Sequence, residues 1–262
     1  MANILQTICA YAAQRVEAAK AETPLEVLRE RCQAAGPGNG TAFEAALAEE
    51  GVSFICEVKK ASPSKGIIAQ DFPYLEIARA YADAGAQAIS CLTEPRWFLG
   101  SDAIFADIRA AVSTPMLRKD FVVDPYQIYE ARLLGANAVL LICAVLNDAQ
   151  LHEGLALCDE LGLAALVETH DAEEVRRAAA AGARILGVNN RNLKDFTVDL
   201  QNSARLRACA PAGTLFVAES GIRTPQDVAA LRAQGVDAVL VGETLMRAPD
   251  KATMLRALRG QA

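Results

Sequence analysis

Two signals that recur along this chain meet in the stretch Leu134-Gly135-Ala136-Asn137-Ala138-Val139-Leu140-Leu141-Ile142. Gly135 stands where a helix would end in a left-handed cap. The residues that follow, 138–142, are apolar throughout and do not alternate with polar ones. Strands of that kind are typical of a parallel sheet whose two faces are both covered. The stretch therefore predicts a helix that ends at a glycine and passes directly into a buried parallel strand.

The same junction recurs at Gly85, Gly182 and Gly235, each time before an apolar run. Eight such runs occur in all, at steps of roughly 20 to 35 residues, which suits a strand, a loop and a crossover helix. We predict strands at Val52–Val58, Ala88–Leu92, Pro115–Leu117, Ala138–Ile142, Ala164–Val167, Ile185–Val188, Thr214–Ala218 and Ala238–Val241.

The length of 262 residues fits one such fold. A closed (β/α)₈ barrel takes about 250 residues as a single domain. An open doubly wound sheet is the alternative, but no G-x-G-x-x-G motif follows the first strand. We therefore predict an α/β protein in which residues 49–262 form a (β/α)₈ TIM barrel and residues 1–48 form an N-terminal helical extension.

The extension does not fit the repeat. Ile4 and Ile8 lie at helical spacing, the glycine-rich segment 36–40 breaks the chain, and residues 43–47 can form one more short helix. Two roles are open for this segment. It can plug the bottom of the barrel, or it can cover the open face and bring an apolar or basic contact to a ligand.

Composition narrows the classes of function. The net charge is −6, from 26 Lys+Arg against 32 Asp+Glu, and gives no electrostatic footprint for nucleic acid or an anionic membrane. Seven scattered cysteines without a C-x-x-C pair favour a reducing compartment, and two histidines argue against a multi-histidine metal site. The chain has no apolar run long enough to cross a membrane and no basic start of a signal peptide. We expect a soluble cytoplasmic protein.

Polar residues interrupt the apolar runs where the predicted strands end, which is where barrel enzymes carry their chemistry. The period-2 rule places Glu57 and Lys59 on one face of the first strand. A structural ion-pair network is the alternative, but burying this many charges is costly, and such a cluster lets neighbours separate their pKa values for acid–base work. The predicted catalytic set is Glu57, Lys59, Lys119, Glu168, Asn189 and Glu219.

Two neighbours of this set receive separate predictions. His170 can act as a proton shuttle, although a loop or helix-capping role is favoured. Arg118 is expected to reach outward to the helices, because it alternates with Lys119 along the strand.

The loops after the last two strands carry a candidate anion site. Their glycines let backbone N–H groups approach a phosphate, and barrels of this kind hold phosphate at these two loops. Two ordinary turns are the alternative. The predicted residues are Ser220, Gly221, Gly242 and Glu243, with the Glu243 side chain pointing away while its N–H donates. Phe98 and Phe121 flank the rim and suit a flat, partly apolar substrate, with packing in the core as the alternative.

Several stretches at these positions resemble the indole-3-glycerol phosphate synthase family of tryptophan biosynthesis. The two longest are Glu57-Val58-Lys59-Lys60-Ala61-Ser62-Pro63-Ser64-Lys65-Gly66 and Leu117-Arg118-Lys119-Asp120-Phe121-Val122-Val123-Asp124-Pro125-Tyr126-Gln127. Shorter matches are Leu92-Thr93-Glu94, Phe98-Leu99-Gly100-Ser101, Gly187-Val188-Asn189-Asn190-Arg191 and Ala218-Glu219-Ser220-Gly221-Ile222. The resemblance spans the predicted barrel in family order, and a helical N-terminal extension is also a feature of the family.

The resemblance implies a carboxy-lyase. It closes the ring of 1-(2-carboxyphenylamino)-1-deoxyribulose 5-phosphate to give indole-3-glycerol phosphate, with loss of CO₂ and water. It implies a monofunctional form, a small phosphorylated substrate, and no metal, organic cofactor or obligatory protein partner.

The resemblance also implies roles for single residues. Lys119 would be the general acid at the ribulose carbonyl, Glu168 would handle protons in the dehydration, and Lys59 would be a second acid positioned by Glu57. Asn189 and Glu219 would orient hydroxyls and proton carriers. The substrate carboxylate would meet Ser62 and Arg191. The anthranilate ring would lie among Pro63, Phe98, Phe121 and Leu140, and the phosphate at Ser220, Gly221, Gly242 and Glu243 with Lys59.

Two other functions compete with this one. Another phosphate-binding barrel enzyme, such as phosphoribosylanthranilate isomerase, needs a proton-transfer pair but no decarboxylation pocket, so Glu57, Lys59 and Lys119 together argue against it. A non-catalytic barrel that serves as a scaffold is disfavoured, because the whole set of rim groups is present.

Overall fold

Within residues 4–192 and 195–261, which the computed structural model describes, eight parallel strands close into a barrel. The strands are β1 (Ser53–Val58), β2 (Ala88–Leu92), β3 (Met116–Lys119), β4 (Ala138–Ile142), β5 (Ala164–Thr169), β6 (Ile185–Asn189), β7 (Leu215–Glu219) and β8 (Ala238–Val241). β1 pairs with both β2 and β8, so the sheet has no edge. The predicted TIM barrel is confirmed, and the open doubly wound sheet is wrong.

Helices precede the barrel and follow each of its strands. They are α1 (Ile4–Glu22), α2 (Leu25–Ala35), α3 (Gly40–Leu47), α4 (Tyr74–Asp83), α5 (Asp102–Ala111), α6 (Tyr126–Leu133), α7 (Asp148–Leu161), α8 (Ala172–Ala180), α9 (Gln201–Arg207), α10 (Pro225–Ala233), α11 (Glu243–Arg247) and α12 (Lys251–Leu258). A short antiparallel hairpin, Ala61–Ser62 with Gly66–Ile67, lies in the loop between β1 and α4.

Strand ends differ from the prediction where polar residues continue the ladder. The third strand runs on to Lys119, the fifth to Thr169, the sixth to Asn189 and the seventh to Glu219. Hydropathy identifies only the apolar part of a strand, whereas backbone pairing continues wherever a neighbouring strand lies alongside. The glycine junctions hold: Gly135 has a φ of 79°, and Gly85, Gly182 and Gly235 are left-handed as well.

The core has two layers, one inside the barrel and one between strands and helices. Phe43 and Leu47 of α3 are fully buried and belong to the inner layer, together with Ile55 and Leu166. They enter from the end at which the strands begin, since the Ser53 hydroxyl donates to Ala46 O at 3.0 Å. α3 therefore plugs the bottom of the barrel.

α1 serves the opposite end. Ile4, Leu5 and Ile8 line a cavity at the carboxyl ends of the strands. Further along the helix, Arg15 makes a bidentate pair with the buried Asp120, at 3.1 and 2.7 Å. Both positions that the sequence left open for the extension are thus occupied, each by a different helix, and a contact of α1 with a ligand stays a prediction. The domain boundary at residue 48 stays a prediction.

Arg118 alternates with Lys119 and faces outward, as predicted. Its Nε lies 3.1 Å from Asp102 of α5, and one guanidinium nitrogen donates to Gln127 O of α6 at 2.9 Å. These bonds tie two helices to β3. Among the described residues, no helix is both long and apolar enough to cross a membrane.

Substituting Phe43→Ala tests the bottom plug. Removing a fully buried aromatic ring leaves a cavity, so we expect the free energy of unfolding to fall by about 3–5 kcal/mol in denaturant titrations. Thr41→Ala, on the exposed side of the same helix, should change it by about 0.5 kcal/mol or less. Equal effects of the two substitutions would show that α3 is not part of the core.

Candidate active site

A cavity of about 420 Å³ opens at the carboxyl ends of the barrel strands. Its walls come from the strand ends, the loops that follow them and the first turns of α1. Every site residue predicted from the sequence lines this cavity: Glu57, Lys59, Ser62, Pro63, Phe98, Lys119, Phe121, Leu140, Glu168, Asn189, Arg191, Glu219, Ser220, Gly221, Gly242 and Glu243. Their roles stay predictions, but their convergence on one cavity is a property of the fold.

The inward face of each strand changes from apolar to polar toward this cavity. On β5, Leu166 belongs to the inner core and Glu168, two residues on, lines the cavity. The same step leads from Val217 to Glu219 on β7, because successive inward positions are two residues apart. The barrel therefore has an apolar interior below and a polar floor to the cavity above.

At two inward-facing glycine positions, charged side chains occupy the space that a side chain would take. A Cβ atom at Gly187 of β6 would overlap the Glu219 carboxylate, and one at Gly242 would overlap the Glu57 carboxylate and crowd the Lys59 ammonium. Gly242 is thus required for more than backbone access to an anion. It leaves room for the ion pair between Glu57 and Lys59.

Lys119 forms the centre of the floor. Its Nζ lies 2.8 Å from Glu219 Oε2 and 3.6 Å from Glu168 Oε2. The two carboxylates are 2% and 6% exposed, so all three charges are removed from most of their water. Desolvation of each ion costs several kcal/mol, and only close opposite charges offset it.

The cluster separates the pKa values of its members. Burial lowers the pKa of Lys119, but Glu219, Glu168 and Glu57 outweigh it, so the net shift is upward and the ammonium form persists. For Glu219, burial raises the pKa, and repulsion from Glu168 and Glu57 adds to it against the pull of Lys119, to about 7. Lys119 is thus a protonated group beside Glu219, which titrates near neutrality. A donor and a neighbour with a different pKa are what proton transfer requires.

Glu168 has the opposite shift. Burial alone would raise its pKa, but His170, Lys119 and Asn189 stabilise the anion and lower it. Asn189 Nδ2 donates to Glu168 Oε1 at 3.3 Å, and His170 Nε2 lies 3.3 Å from the same oxygen. The capping role considered for His170 belongs to Asp171, whose side chain accepts from the Glu174 N–H at the start of α8.

Apolar side chains form one wall of the cavity. The rings of Phe98 and Phe121 lie 5.9 Å apart between centroids. Glu94, missed as a site residue, is fully buried and accepts from the N–H groups of Arg96, Trp97 and Phe98 at 3.0, 2.7 and 3.0 Å. A glutamate that follows an apolar strand by two residues is the sequence signal that would have identified it. Its carboxylate accepts from the Phe98 N–H and so holds Phe98 at the wall.

The opposite wall is the candidate anion site. Ser220 and Gly221 both have left-handed backbone angles, with φ of 68° and 88°. A non-glycine residue in that region is held there by its surroundings, a feature common at ligand sites. Thr244, Arg223 and Arg247 also line the cavity and were not among the predicted residues.

The Glu243 side chain does not turn away from this wall, contrary to expectation. Its carboxylate accepts from Arg247 Nε at 3.1 Å and lies 3.8 Å from Lys65 Nζ and 3.9 Å from an Arg191 nitrogen. Arg247 lies one turn further along α11, whereas Lys65 and Arg191 approach from other loops, contacts that the sequence could not show. No cluster of three His, Cys, Asp or Glu side chains within the described ranges is arranged to hold a metal ion.

A closed parallel barrel with lysine–glutamate ion pairs and glycine-containing loops at the carboxyl ends of its strands is typical of the (β/α)₈ enzymes. Comparisons with known proteins identify the family. The indole-3-glycerol phosphate synthase family model matches residues 5–258.

Individual relatives agree with that match. The indole-3-glycerol phosphate synthase of Ruminiclostridium cellulolyticum is 53% identical over 259 residues, which cover 99% of this chain and 100% of that protein. The one of Roseiflexus castenholzii is 49% identical over 270 residues, with 100% of both chains covered. Among solved structures, thiamine phosphate pyrophosphorylase of Pyrococcus furiosus is similar with a TM-score of 0.60 at 18% identity, covering 80% of this chain and 94% of its own. That likeness bears on the fold alone.

The chain belongs to the indole-3-glycerol phosphate synthase family. The resemblance stated from sequence motifs is confirmed, and with it the lyase activity and the role in tryptophan biosynthesis. The residue roles are the part of the prediction that the family match leaves open.

The shifted pKa of Glu219 predicts a pH effect on stability. Because its pKa of about 7 in the folded protein lies above that of an ordinary glutamate, the folded state binds the extra proton between the two values. The free energy of unfolding should therefore fall, relative to Glu219→Gln, as the pH rises through that window. Urea titrations at about pH 5 and about pH 8 measure this difference.

Glu173→Gln, at an exposed position of α8, is the matched control. A difference between wild type and Glu219→Gln that is constant with pH, or that changes no more than in this control, contradicts the shift.

Proposed function

We propose that the side chains of this cavity carry out the ring closure, decarboxylation and dehydration of 1-(2-carboxyphenylamino)-1-deoxyribulose 5-phosphate by general acid–base catalysis. The observation that carries the proposal is the position of Lys119, a half-buried ammonium between two buried carboxylates beneath a cavity with an aromatic wall and a candidate anion site. Such a donor can protonate a substrate oxygen while its neighbours keep it in place.

Lys119 starts the reaction as the general acid. It protonates the ribulose carbonyl oxygen while the ring carbon that bears the carboxylate attacks the carbonyl carbon. Glu219, at 2.8 Å, orients the ammonium and stabilises it before the proton leaves. The barrier falls because the donor is fixed before the reaction begins, so little reorganisation is needed.

Decarboxylation follows from the ring closure. The new C–C bond leaves an iminium on the ring, and the C–CO₂⁻ bond breaks as its electron pair returns to that nitrogen system. Ser62 and Arg191 hold the carboxylate, and the ring lies among Phe98, Phe121, Pro63 and Leu140. The substrate carboxylate should be bound only moderately, because an anion bound too strongly in the ground state would resist loss of its charge.

Dehydration needs a proton donor at the leaving hydroxyl and an acceptor at the ring. Lys59 acts as the donor, positioned by its ion pair with Glu57. Glu168 acts as the acceptor of the ring proton. The hydrogen bond that Asn189 donates to it holds the carboxylate in place. The separate pKa shifts of Glu168 and Glu219 support different roles for the two glutamates.

The substrate phosphate provides the second anchor. Backbone N–H groups at Gly221, Gly242 and Glu243 and the Ser220 side chain bind it, joined by Lys59. With the carboxylate held at the other end, a flexible substrate is folded back on itself, which is the geometry that ring closure requires.

Wider properties follow from the same proposal. The substrate is a small phosphorylated molecule, and we propose that nucleic acid, metal ions, organic cofactors and an obligatory protein partner have no part in turnover. The net charge of −6 supports the first of these statements. All seven cysteines are free thiols, which suits the reducing cytoplasm.

The activity is tested with the purified chain and the carboxyphenylamino-deoxyribulose phosphate. We expect indole fluorescence to appear at the same rate with and without EDTA, because the donors and acceptors are side chains. Phosphoribosylanthranilate should be left unchanged. A folded sample that forms no indole product would contradict the proposed function. Loss of turnover in EDTA would contradict the cofactor-free mechanism.

The roles of Lys119 and Glu168 are tested by Lys119→Met and Glu168→Gln. Each removes a proton carrier, so we expect turnover to fall by roughly 10²-fold or more. Lys60→Met, next to the catalytic Lys59 but outside the cavity lining, is the control and should retain most of the activity. Near-normal rates for the first two variants would refute the roles and leave the fold intact.

A further inference from the structure

The Glu243 carboxylate lies at the mouth of the cavity, close to the guanidinium of Arg191. Its Oε2 is 3.9 Å from one terminal nitrogen of Arg191, and both residues line the cavity. The other terminal nitrogen of Arg191 donates to Phe196 O at 3.2 Å. The guanidinium is thus anchored to its own loop on one side and turned towards Glu243 on the other.

Glu243 is kept near Arg191 without being fixed to it. Its Oε1 accepts from Arg247 Nε at 3.1 Å and lies 3.8 Å from Lys65 Nζ. The side chains of Glu243 and Arg191 are 28% and 18% exposed. A pair of partly exposed charges at this distance is weak, so it can open and form again at low cost.

The substrate brings a second carboxylate to the same guanidinium, a step that rests on the proposed function. One guanidinium cannot pair fully with two carboxylates, and the two carboxylates repel each other. The substrate carboxylate therefore binds at the expense of the pair between Glu243 and Arg191. Decarboxylation removes the substrate's charge from this place, and the pair can form again.

We propose that Glu243 weakens the binding of the substrate carboxylate at Arg191 and thereby favours its loss as CO₂. The pair between Glu243 and Arg191 is present in the free enzyme, is lost when the substrate binds, and is regained as the C–CO₂⁻ bond breaks. An interaction missing only from the substrate complex raises the free energy of that complex alone, so it increases both KM and kcat. Glu243 acts here through Arg191, as a positioning residue.

Two unreactive analogues isolate the effect on binding. The first is the substrate with its ketone reduced to an alcohol, which cannot close the ring, and the second is the same compound without the carboxylate. Glu243→Gln keeps the shape of the side chain and removes its charge. We expect it to tighten binding of the first analogue about fivefold and of the second about twofold or less, as measured by calorimetry.

The same variant should lower kcat and KM together. We expect the single-turnover rate of CO₂ release to fall about threefold to fivefold and KM to fall by a similar factor, so that kcat/KM stays nearly constant. A merely structural role would not produce this combination. Glu173→Gln, which removes an exposed carboxylate of α8, is the control and should change neither quantity.

A second substitution tests whether Glu243 acts through Arg191. In an Arg191→Met background, adding Glu243→Gln should leave the relative binding of the two analogues unchanged, because the guanidinium for which the carboxylates compete is gone. If Glu243→Gln does not fold, Glu243→Ser takes its place in all of these measurements.

Three results overturn the inference. Equal tightening of both analogues would show that Glu243 is only a general negative charge at the mouth, and an effect that persists in Arg191→Met would show that it does not act through Arg191. A KM that rises or stays constant in Glu243→Gln would exclude the competition. A wild type that forms no indole product would instead refute the proposed function, so the two failures are distinguishable.

Discussion

A half-buried ammonium between two buried carboxylates, Lys119 between Glu219 and Glu168, is the arrangement on which the rest of this molecule depends. Three charges out of water are costly, and their mutual attraction offsets that cost only while the distances stay short. A closed sheet meets this condition because β3, β5 and β7 cannot move apart without breaking the barrel. The closed ring of strands therefore holds the three charges together.

The same constraint shapes positions that carry no chemistry. Gly187 and Gly242 have no side chain because Glu219, Glu57 and Lys59 occupy that space. Below the charged floor the interior is apolar and is closed by Phe43 and Leu47 of α3. Water is thereby kept from the cluster on its lower side, which strengthens each interaction within it.

The candidate anion site lies in a chain that is acidic overall. Cations and backbone N–H groups are concentrated at its mouth, and Glu243 lies among Lys65, Arg191 and Arg247 there. Surface pairs at such distances contribute little to stability, so the cations can exchange this carboxylate for a bound anion at low cost. Net charge governs solubility and long-range attraction, whereas the local arrangement governs this site.

The sequence by itself determined the fold class, the positions of the strands and the residues that meet at the cavity. The fold class, the strands and the charged strand ends depend on short-range patterns: a glycine cap before each apolar run, and inward positions two residues apart that end in a charge. Ser62, Pro63, Leu140 and Arg191 were predicted from the family resemblance. The sequence could not determine which charges pair, since Lys119 and Glu219 are 100 residues apart in the chain. Only the tertiary structure decided that α1 covers the open end while α3 plugs the bottom, and that Lys65 and Arg191 approach Glu243 at the rim. The physical reason is that each of these contacts is made through space, between elements whose relative positions are set by the closure of the barrel.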